Sequence, residues 1–280
     1  MLQIAARVLS PASEMDFLLQ GLAILFFGFA LFFYVRLSGR VYLGHAGKVS
    51  GDKFSRVDLG ITLLLVAFIA YRLMVSAGVT QQAIPAGYDT RLLALYAGLQ
   101  YLVILLPILT LLLGRGVRLS ELFGFNQVPL LRVVLLGTGL LVLSIPIVYG
   151  ASSLMSVWMK VDPKTDSQEI IQIFQQAKQF SQRLPIIILA VLVAPVAEEF
   201  IFRGYLYGVL KRYGGGLASL FFTSVLFALL HLNVPSLLPL FLLACTFTLA
   251  YEMTGSLLVP MTMHALFNAL NIVAILYFGQ

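Results

Sequence analysis

The sequence predicts an all-α, polytopic membrane protein with about eight transmembrane helices. Of its 280 residues, 60% are hydrophobic and 11% are charged, and the mean hydropathy is +0.97. A soluble globular protein carries roughly 25% charged residues, so this chain cannot cover itself with a water-facing surface. The apolar residues form runs of about 20, the length of a helix that spans a bilayer. No alternating pattern indicates a membrane-spanning β-barrel.

Eight apolar segments follow one another along the chain, separated by polar stretches. Lipid offers the backbone no hydrogen-bond partners, so each segment is predicted to pair its own peptide groups as a helix. The segments cover residues 17–37, 58–79, 92–113, 133–157, 185–210, 216–233, 236–253 and 257–277. Residues 1–14 lack the charged start and cleavage site of a signal peptide, so the first segment is expected to be retained.

Basic residues indicate how the predicted helices are oriented. One predicted side carries eleven Lys and Arg residues and the other carries six. The eleven are Arg36, Arg40, Lys48, Lys53, Arg56, Arg115, Arg118, Arg132, Arg203, Lys211 and Arg212. The positive-inside rule therefore predicts that this side is cytoplasmic and that both termini lie outside the cytoplasm. The net charge of +6 is explained by topology signals and contacts with an anionic lipid bilayer, so no nucleic-acid partner is predicted.

The most polar stretch, residues 160–184, separates the fourth and fifth segments. Ile170, Ile171, Ile173 and Phe174 recur there at near-helical spacing, with Gln residues between them. This pattern predicts an amphipathic helix lying on the membrane surface, with a lid or substrate-guiding role as the alternative. The stretch closes an N-terminal transmembrane region, residues 1–184. It precedes a C-terminal transmembrane core, residues 185–280, which carries the candidate catalytic residues.

Glutamates and histidines inside the C-terminal segments are the candidate functional residues. A charged carboxylate at the bilayer centre costs at least ~2.5–3.5 kcal/mol, so such residues indicate a function by default. Glu199 and Arg203 are four residues apart, share one helix face and are predicted to form a structural ion pair. Glu198 points about 100° away from Glu199. It is therefore predicted to have a chemical role.

Two histidines complete the candidate set. His231 follows Phe227 by four residues, and Asn268 follows His264 by four. A helical bundle can bring these side chains to Glu198, because facing helices build sites inward. A carboxylate can act as general base on a water molecule. A histidine and an asparagine can donate hydrogen bonds to a developing oxyanion. These residues together would suffice for amide hydrolysis.

Two other functions fit the same residues. Glu198, His231 and His264 could hold zinc with one open position, or they could form a proton relay in a transporter. However, the sequence has no His-Glu-x-x-His motif, and neither function explains the asparagine beside His264 so directly. The prediction is therefore a reaction without a metal or other cofactor, with zinc as the alternative.

The depth of His231 poses a difficulty for this site. It lies 15 residues beyond Gly216, which is about 22 Å along a regular helix. That distance places it nearer the outer surface than Glu198 or His264. Helix tilt, a later helix start or a break near Pro235 is expected to remove the difference.

Three motifs resemble those of one known family. Residues 198–203, Glu-Glu-Phe-Ile-Phe-Arg, resemble its Glu-Glu-x-x-x-Arg motif. Residues 227–231, Phe-Ala-Leu-Leu-His, resemble Phe-x-x-x-His, and residues 264–268, His-Ala-Leu-Phe-Asn, resemble His-x-x-x-Asn. This is the CPBP family, named for CAAX prenyl proteases and bacteriocin-processing enzymes. The resemblance covers roughly residues 185–277, with each motif in its own apolar segment.

The resemblance implies a CAAX-protease-like bundle of eight helices with an intramembrane glutamate protease site. By motif position, Glu198 resembles the water-activating base, assisted by His231, and His264 and Asn268 resemble the oxyanion donors. The residues that resemble supporting groups are Glu199 and Arg203. The expected substrate is a peptide or membrane protein, and the expected location is the plasma membrane of a bacterium. The alternative is a non-catalytic relative that acts in bacteriocin immunity or as a partner-binding scaffold.

Overall fold

A computed structural model describes residues 11–77, 89–160 and 169–278 of the chain. These residues form helices joined by turns, with no strand among them. In the same part of the chain, seven helices are long and apolar enough to cross a membrane. The predicted all-α, polytopic fold is therefore confirmed.

The N-terminal half contributes four long helices and one short one. Their bounds are Pro11–Ser38 (α1), Arg56–Ala77 (α2), Thr90–Gly114 (α3), Leu119–Leu122 (α4) and Leu130–Met159 (α5). A π-helical turn, Gly39–Leu43, extends α1 towards the loop that follows. The side chain of Asp89 caps α3 by accepting a hydrogen bond from the backbone N–H of Arg91 over 2.9 Å.

The described part of the C-terminal half contributes five helices. Their bounds are Glu169–Gln176 (α6), Phe180–Gly214 (α7), Gly216–Leu229 (α8), Leu237–Thr254 (α9) and Leu258–Phe278 (α10). Gly215, with φ of 81°, separates α7 from α8, and Gly255, with φ of 71°, separates α9 from α10. Glycine reaches these left-handed conformations without steric cost, so both helices stop there.

Helix α8 is shorter than its predicted segment, residues 216–233. It has 14 residues and ends at Leu229, so it rises only about 21 Å. The chain then turns through Leu232, which has φ of 50°. A short 3-10 helix, Val234–Ser236, follows and leads into α9. His231 therefore lies in the turn after α8, and the break expected near Pro235 is present.

The two predicted regions of the chain share one interior. One buried cluster joins Tyr34 and Leu112 to Tyr205 and Leu249. A second joins Val133 and Leu141 of α5 to residues of α7, α8, α9 and α10. The predicted division between residues 184 and 185 falls inside α7, which begins at Phe180. The polar stretch predicted for residues 160–184 thus ends earlier than expected, because residues 180–184 are already helical.

The predicted surface helix exists as α6, but its apolar face packs against protein. Ile173 and Phe174 are buried against Ile186 of α7, with Leu93 of α3 and Ile272 of α10 beside them. The ends of three helices therefore cover these side chains, and the location of the helix at the membrane surface stays a prediction. Residues 161–168 and the side chain of Ile170 lie outside the described residues.

The three basic stretches meet at one end of the bundle, called the basic end below. Lys53 Nζ lies 3.4 Å from Glu121 Oε2, which joins the loop after α1 to α4. Arg212, near the end of α7, donates hydrogen bonds to the backbone oxygens of Asp52 and Phe54. The shared location of these stretches agrees with the charge pattern. That the basic end is cytoplasmic stays a prediction.

We expect Gly124→Ala to destabilise the protein more than Gly116→Ala. Both glycines have left-handed backbone, with φ of 67° and 73°, which costs other residues about 1–2 kcal/mol. A Cβ at Gly124 would also overlap the carbonyl oxygen of Gly255, whereas a Cβ at Gly116 meets nothing within 4 Å. Overpacking adds about 1–3 kcal/mol. Denaturant unfolding in detergent measures both variants, and equal losses would contradict the close contact.

Candidate active site

The two glutamates lie between two π-helical segments of α7. These segments are Leu189–Val193 and Phe200–Leu206, and the α-helical stretch Ala194–Glu199 separates them. Single π-helical turns inside α-helices occur frequently at functional sites. Such a turn widens the helix and changes the direction of the side chains that follow it. Glu198 and Glu199 are therefore positioned by local backbone irregularity as well as by sequence spacing.

The first π segment and Pro195 together leave the carbonyl oxygen of Ala190 without a backbone N–H from residue 195. Ala194 N–H donates to Leu189 O, five residues earlier. The next such bond would join residue 195 to Ala190 O, but proline has no N–H to donate. Asn268 of α10 fills this position, because its Nδ2 donates to Ala190 O over 2.8 Å. An unpaired carbonyl is costly inside a membrane, so this contact fixes α10 against α7.

The amide of Asn268 thus has a structural partner on a neighbouring helix. The resemblance to the CPBP family predicts an oxyanion role for this residue, together with His264. An asparagine amide carries two N–H groups, so one remains when the other is donated to Ala190 O. The oxyanion role stays a prediction, and the second N–H of Asn268 is the group that would perform it.

Glu199 and Arg203 form a buried ion pair. Arg203 Nη1 donates to Glu199 Oε1 over 2.8 Å, and the exposed fractions of the two side chains are 1% and 0%. The guanidinium carbon lies 4.5 Å from the ring centre of Phe227 and 5.2 Å from that of Phe247. Arg203 was counted among the basic residues that set orientation. That assignment is wrong, because this cation lies in the core and has a carboxylate partner.

Glu199 also holds His264. Nδ1 of His264 lies 2.9 Å from Glu199 Oε1. An ionised carboxylate only accepts hydrogen bonds, so this contact keeps a proton on Nδ1 and orients the ring. Nε2 then faces Glu198, with 3.9 Å between it and Glu198 Oε2. That distance exceeds a direct hydrogen bond. Glu199 therefore positions the ring of His264 beside Glu198.

Glu198 is more accessible than its neighbour. Its side chain is 17% exposed, and the hydroxyl of Tyr101 donates a hydrogen bond to its Oε1. Among the described residues, none donates to Oε2. One carboxylate oxygen is therefore held in place, while the other can accept a proton from a water molecule.

Tyr101 is the residue that sequence reasoning missed. It lies in α3, within the apolar run that precedes Pro107, and no motif surrounds it. Tyrosine is common in membrane helices, so its presence alone indicates no function. Its role becomes visible only because α3 packs against α7 and brings the hydroxyl to Glu198.

His231 reaches the site from the turn after α8. Its Nδ1 lies 2.8 Å from the carbonyl oxygen of Phe227. A carbonyl oxygen only accepts, so Nδ1 carries the proton, and in the neutral form of the ring the lone pair is on Nε2. The ring of Phe227 lies 4.9 Å from that of His231 and 5.8 Å from that of His264. The two histidines therefore flank one aromatic ring, which sets their separation.

The zinc alternative requires three donor side chains placed around one point. Within residues 11–77, 89–160 and 169–278, no group of three His, Cys, Asp or Glu side chains is placed to hold a metal ion. Glu198, His231 and His264, the ligands named for that alternative, do not form such a group. A reaction without a cofactor stays a prediction.

Comparison with known proteins finds a family model that is similar to this part of the chain. Residues 180–270 match the family model described as "Type II CAAX prenyl endopeptidase Rce1-like". This segment is similar to the Rce1-like endopeptidases, and we call it the Rce1-like segment. The predicted resemblance to CAAX-type proteins of the CPBP family is therefore confirmed. The Rce1-like segment contains all six predicted site residues, which are Glu198, Glu199, Arg203, His231, His264 and Asn268.

One curated relative is the "Uncharacterized protein YpbD" of Bacillus subtilis (strain 168). It is 39% identical to this chain over 97 residues. The match covers 33% of this chain and 47% of the relative, so it reaches about half of the relative's length. No solved structure matches the chain significantly. The similarity of this segment to Rce1-like proteins thus rests on sequence alone.

We expect Tyr101→Phe to lower turnover while leaving substrate affinity unchanged. The substitution removes the hydroxyl that holds Glu198 Oε1 and keeps the ring. A hydrogen bond to a charged group contributes about 1.5–3 kcal/mol, which corresponds to roughly a 10- to 100-fold loss in kcat. Tyr96→Phe is the matched control, since Tyr96 is 62% exposed on the same helix. Equal kcat values for both variants would remove Tyr101 from the site.

Proposed function

We propose that this protein is an intramembrane endopeptidase of the CAAX protease type. The observation that carries the proposal is the environment of Glu198 in the Rce1-like segment. Tyr101 holds one oxygen of this carboxylate, and the other faces His264 Nε2 across 3.9 Å. A partly exposed carboxylate beside an oriented imidazole is the arrangement that peptide hydrolysis by an activated water requires.

The proposed reaction begins with proton transfer from water to Glu198 Oε2. The resulting hydroxide attacks the carbonyl carbon of the scissile peptide bond and forms a tetrahedral oxyanion. His231 Nε2, which keeps its lone pair, orients the water by accepting a hydrogen bond. Glu198 then returns the proton to the amide nitrogen as the carbon–nitrogen bond breaks. The products are a new carboxyl group and a new amine, so no oxidant or cofactor is consumed.

His264 and Asn268 are proposed to stabilise the oxyanion. Arg203 neutralises Glu199, and Glu199 in turn orients His264 through Nδ1. When Nε2 also carries a proton, it presents an N–H on the side of Glu198. Asn268 lies one turn further along α10 and is fixed by Ala190 O. Donors held in place before the reaction stabilise the developing charge, because they do not have to reorient when it forms.

The proposed substrate is a peptide or membrane protein that approaches between α3 and α7. A cavity of about 400 Å³ lies between these helices, lined mainly by apolar residues that include Gly98, Leu184, Leu189 and Val193. The same two helices carry Tyr101 and Glu198. An apolar cleft beside a polar site is typical of a binding site for an apolar ligand. The proposed location is the plasma membrane of a bacterium, in keeping with the Bacillus relative.

The test is a comparison of membrane peptides from cells that express the wild type or Glu198→Ala. Mass spectrometry is expected to find new peptide termini that need Glu198, in cells with equal amounts of folded protein. The same comparison with 1,10-phenanthroline tests the metal-independent reaction, which is expected to continue. A cellular phenotype that survives Glu198→Ala, with no Glu198-dependent termini, would favour the non-catalytic immunity or scaffold role.

We expect Asn268→Ala to lower both turnover and stability, by different amounts. Loss of one oxyanion donor costs roughly 10²–10³ in rate. Loss of the hydrogen bond to Ala190 O removes a contact of a kind that contributes about 0.6 kcal/mol in membrane bundles. Single-turnover rates measured beside melting temperatures in detergent separate the two effects. A melting temperature that falls while the rate is unchanged would restrict Asn268 to its structural contact.

A further inference from the structure

A second cavity lies at the basic end of the bundle, apart from the candidate active site. Its volume is about 540 Å³, and the end of α1, the loop that follows and Met253 of α9 surround it. None of the six predicted site residues lines it. A cavity of this size lies within the range of about 300–1,000 Å³ that is typical of small-molecule sites.

Three cations line this cavity without a carboxylate partner. Arg36 and Arg40 project from the end of α1, and Lys48 from the loop. In the described part of the chain, no acidic side chain forms an ion pair with any of them, and all three are exposed. The nearby buried carboxylate of Glu252 is already paired with Lys211. The cavity therefore presents positive charge that no internal anion neutralises.

The rest of the wall is apolar and aromatic. Phe29 and Phe33 lie one turn apart on α1 and both line the cavity. The guanidinium carbon of Arg36 lies 6.0 Å from the ring centre of Phe32, which also lines it. Phe29 lies seven residues before Arg36, which is about 10 Å deeper along the helix. The cavity wall is therefore cationic at the end of the helix and apolar further along it.

We propose that this cavity binds one acidic phospholipid. Its phosphate would contact Arg36, Arg40 and Lys48, and an acyl chain would lie along Phe29 and Phe33. Arginine binds phosphate through two parallel N–H groups, and basic pockets at membrane helix ends select anionic headgroups. The charge of the cavity excludes a cationic ligand, and its apolar depth favours a lipid over a soluble anion. This inference does not depend on the proposed proteolysis.

The test measures lipid retained by the full-length protein in native mass spectrometry. Phosphatidylglycerol is expected to bind in preference to phosphatidylcholine. In Arg36→Gln/Arg40→Gln, phosphatidylglycerol binding is expected to weaken about thirtyfold, since each cation near a membrane surface contributes about fivefold. The matched control is Arg56→Gln/Arg132→Gln, which removes equal charge from exposed residues outside the cavity. Equal weakening in both double variants would overturn the proposal.

Ala46→Trp separates a bound lipid from general attraction to an anionic surface. Ala46 is exposed and lines the cavity, so an indole there would fill it without altering charge. We expect phosphatidylglycerol binding to fall at least tenfold while unfolding in detergent is unchanged. Glycerol phosphate is expected not to compete, because it lacks the acyl chains. Full lipid binding by Ala46→Trp, or displacement by glycerol phosphate at equal concentration, would overturn the lipid assignment.

Discussion

Replacing Glu198 with glutamine is expected to abolish peptide cleavage while the protein stays folded. Glutamine keeps the size of the side chain and an oxygen that accepts the Tyr101 hydrogen bond. It cannot take a proton from water, so the proposed reaction loses its general base. General base catalysis contributes about 10²–10⁴ in rate. Single-turnover cleavage of a substrate found by the peptide comparison measures this loss.

The control for this experiment is Glu121→Gln. Glu121 is a carboxylate of the basic end, paired with Lys53 and Arg118 at the surface. Its substitution is expected to leave cleavage unchanged. If Glu198→Gln cleaves at the wild-type rate, the base lies elsewhere and the proposed role of Glu198 fails. The alternative position is then Glu199, whose Oε2 has no hydrogen-bond partner in the described structure.

The largest stability effect is expected for Arg203→Ala. This substitution removes the cation from a pair whose side chains are 1% and 0% exposed. Glu199 then keeps only its contact with His264. Removing one partner of a buried ion pair costs about 3–5 kcal/mol, because the remaining charge stays buried. Denaturant unfolding in detergent measures the loss of the free energy of unfolding.

Arg118→Ala is the matched control for Arg203→Ala. Arg118 pairs with Glu121 over 2.9 Å, but those side chains are 79% and 50% exposed. Exposed pairs contribute about 0–1 kcal/mol, so little change is expected. Cleavage per folded molecule is expected to suffer less than stability in Arg203→Ala. A stable but inactive Arg203→Ala protein would instead place Arg203 in direct contact with the reaction.

Hydropathy located most of the helices because insertion into lipid depends on local composition. The predicted segments 92–113 and 133–157 lie within α3, Thr90–Gly114, and α5, Leu130–Met159. The prediction was less accurate where the chain turns inside the protein. Helix α8 stops four residues before its predicted end because Leu232 adopts left-handed backbone. Hydropathy averaged over the segment hides that turn, although His231, Asn233 and Pro235 lie around it and a break near Pro235 was among the expectations.

The amphipathic helix α6 shows a second limit of pattern reasoning. Periodicity identified its helical form and its apolar face. It did not reveal whether lipid or protein covers that face, because both present similar apolar surfaces. The structure places Ile173 and Phe174 against Ile186. The covering partner depends on how distant helices meet, and no local pattern contains that information.

The sequence by itself determined the fold class and the membrane location. It also determined the pairing of Glu199 with Arg203, since hydropathy and four-residue spacing act within one helix. The tertiary structure alone decided the partners of Glu198 and Asn268. Tyr101 reaches Glu198 from 97 residues away, and Asn268 of α10 donates to Ala190 O in the π segment that precedes Pro195. The physical reason is that these hydrogen bonds join different helices, whose packing depends on the whole bundle.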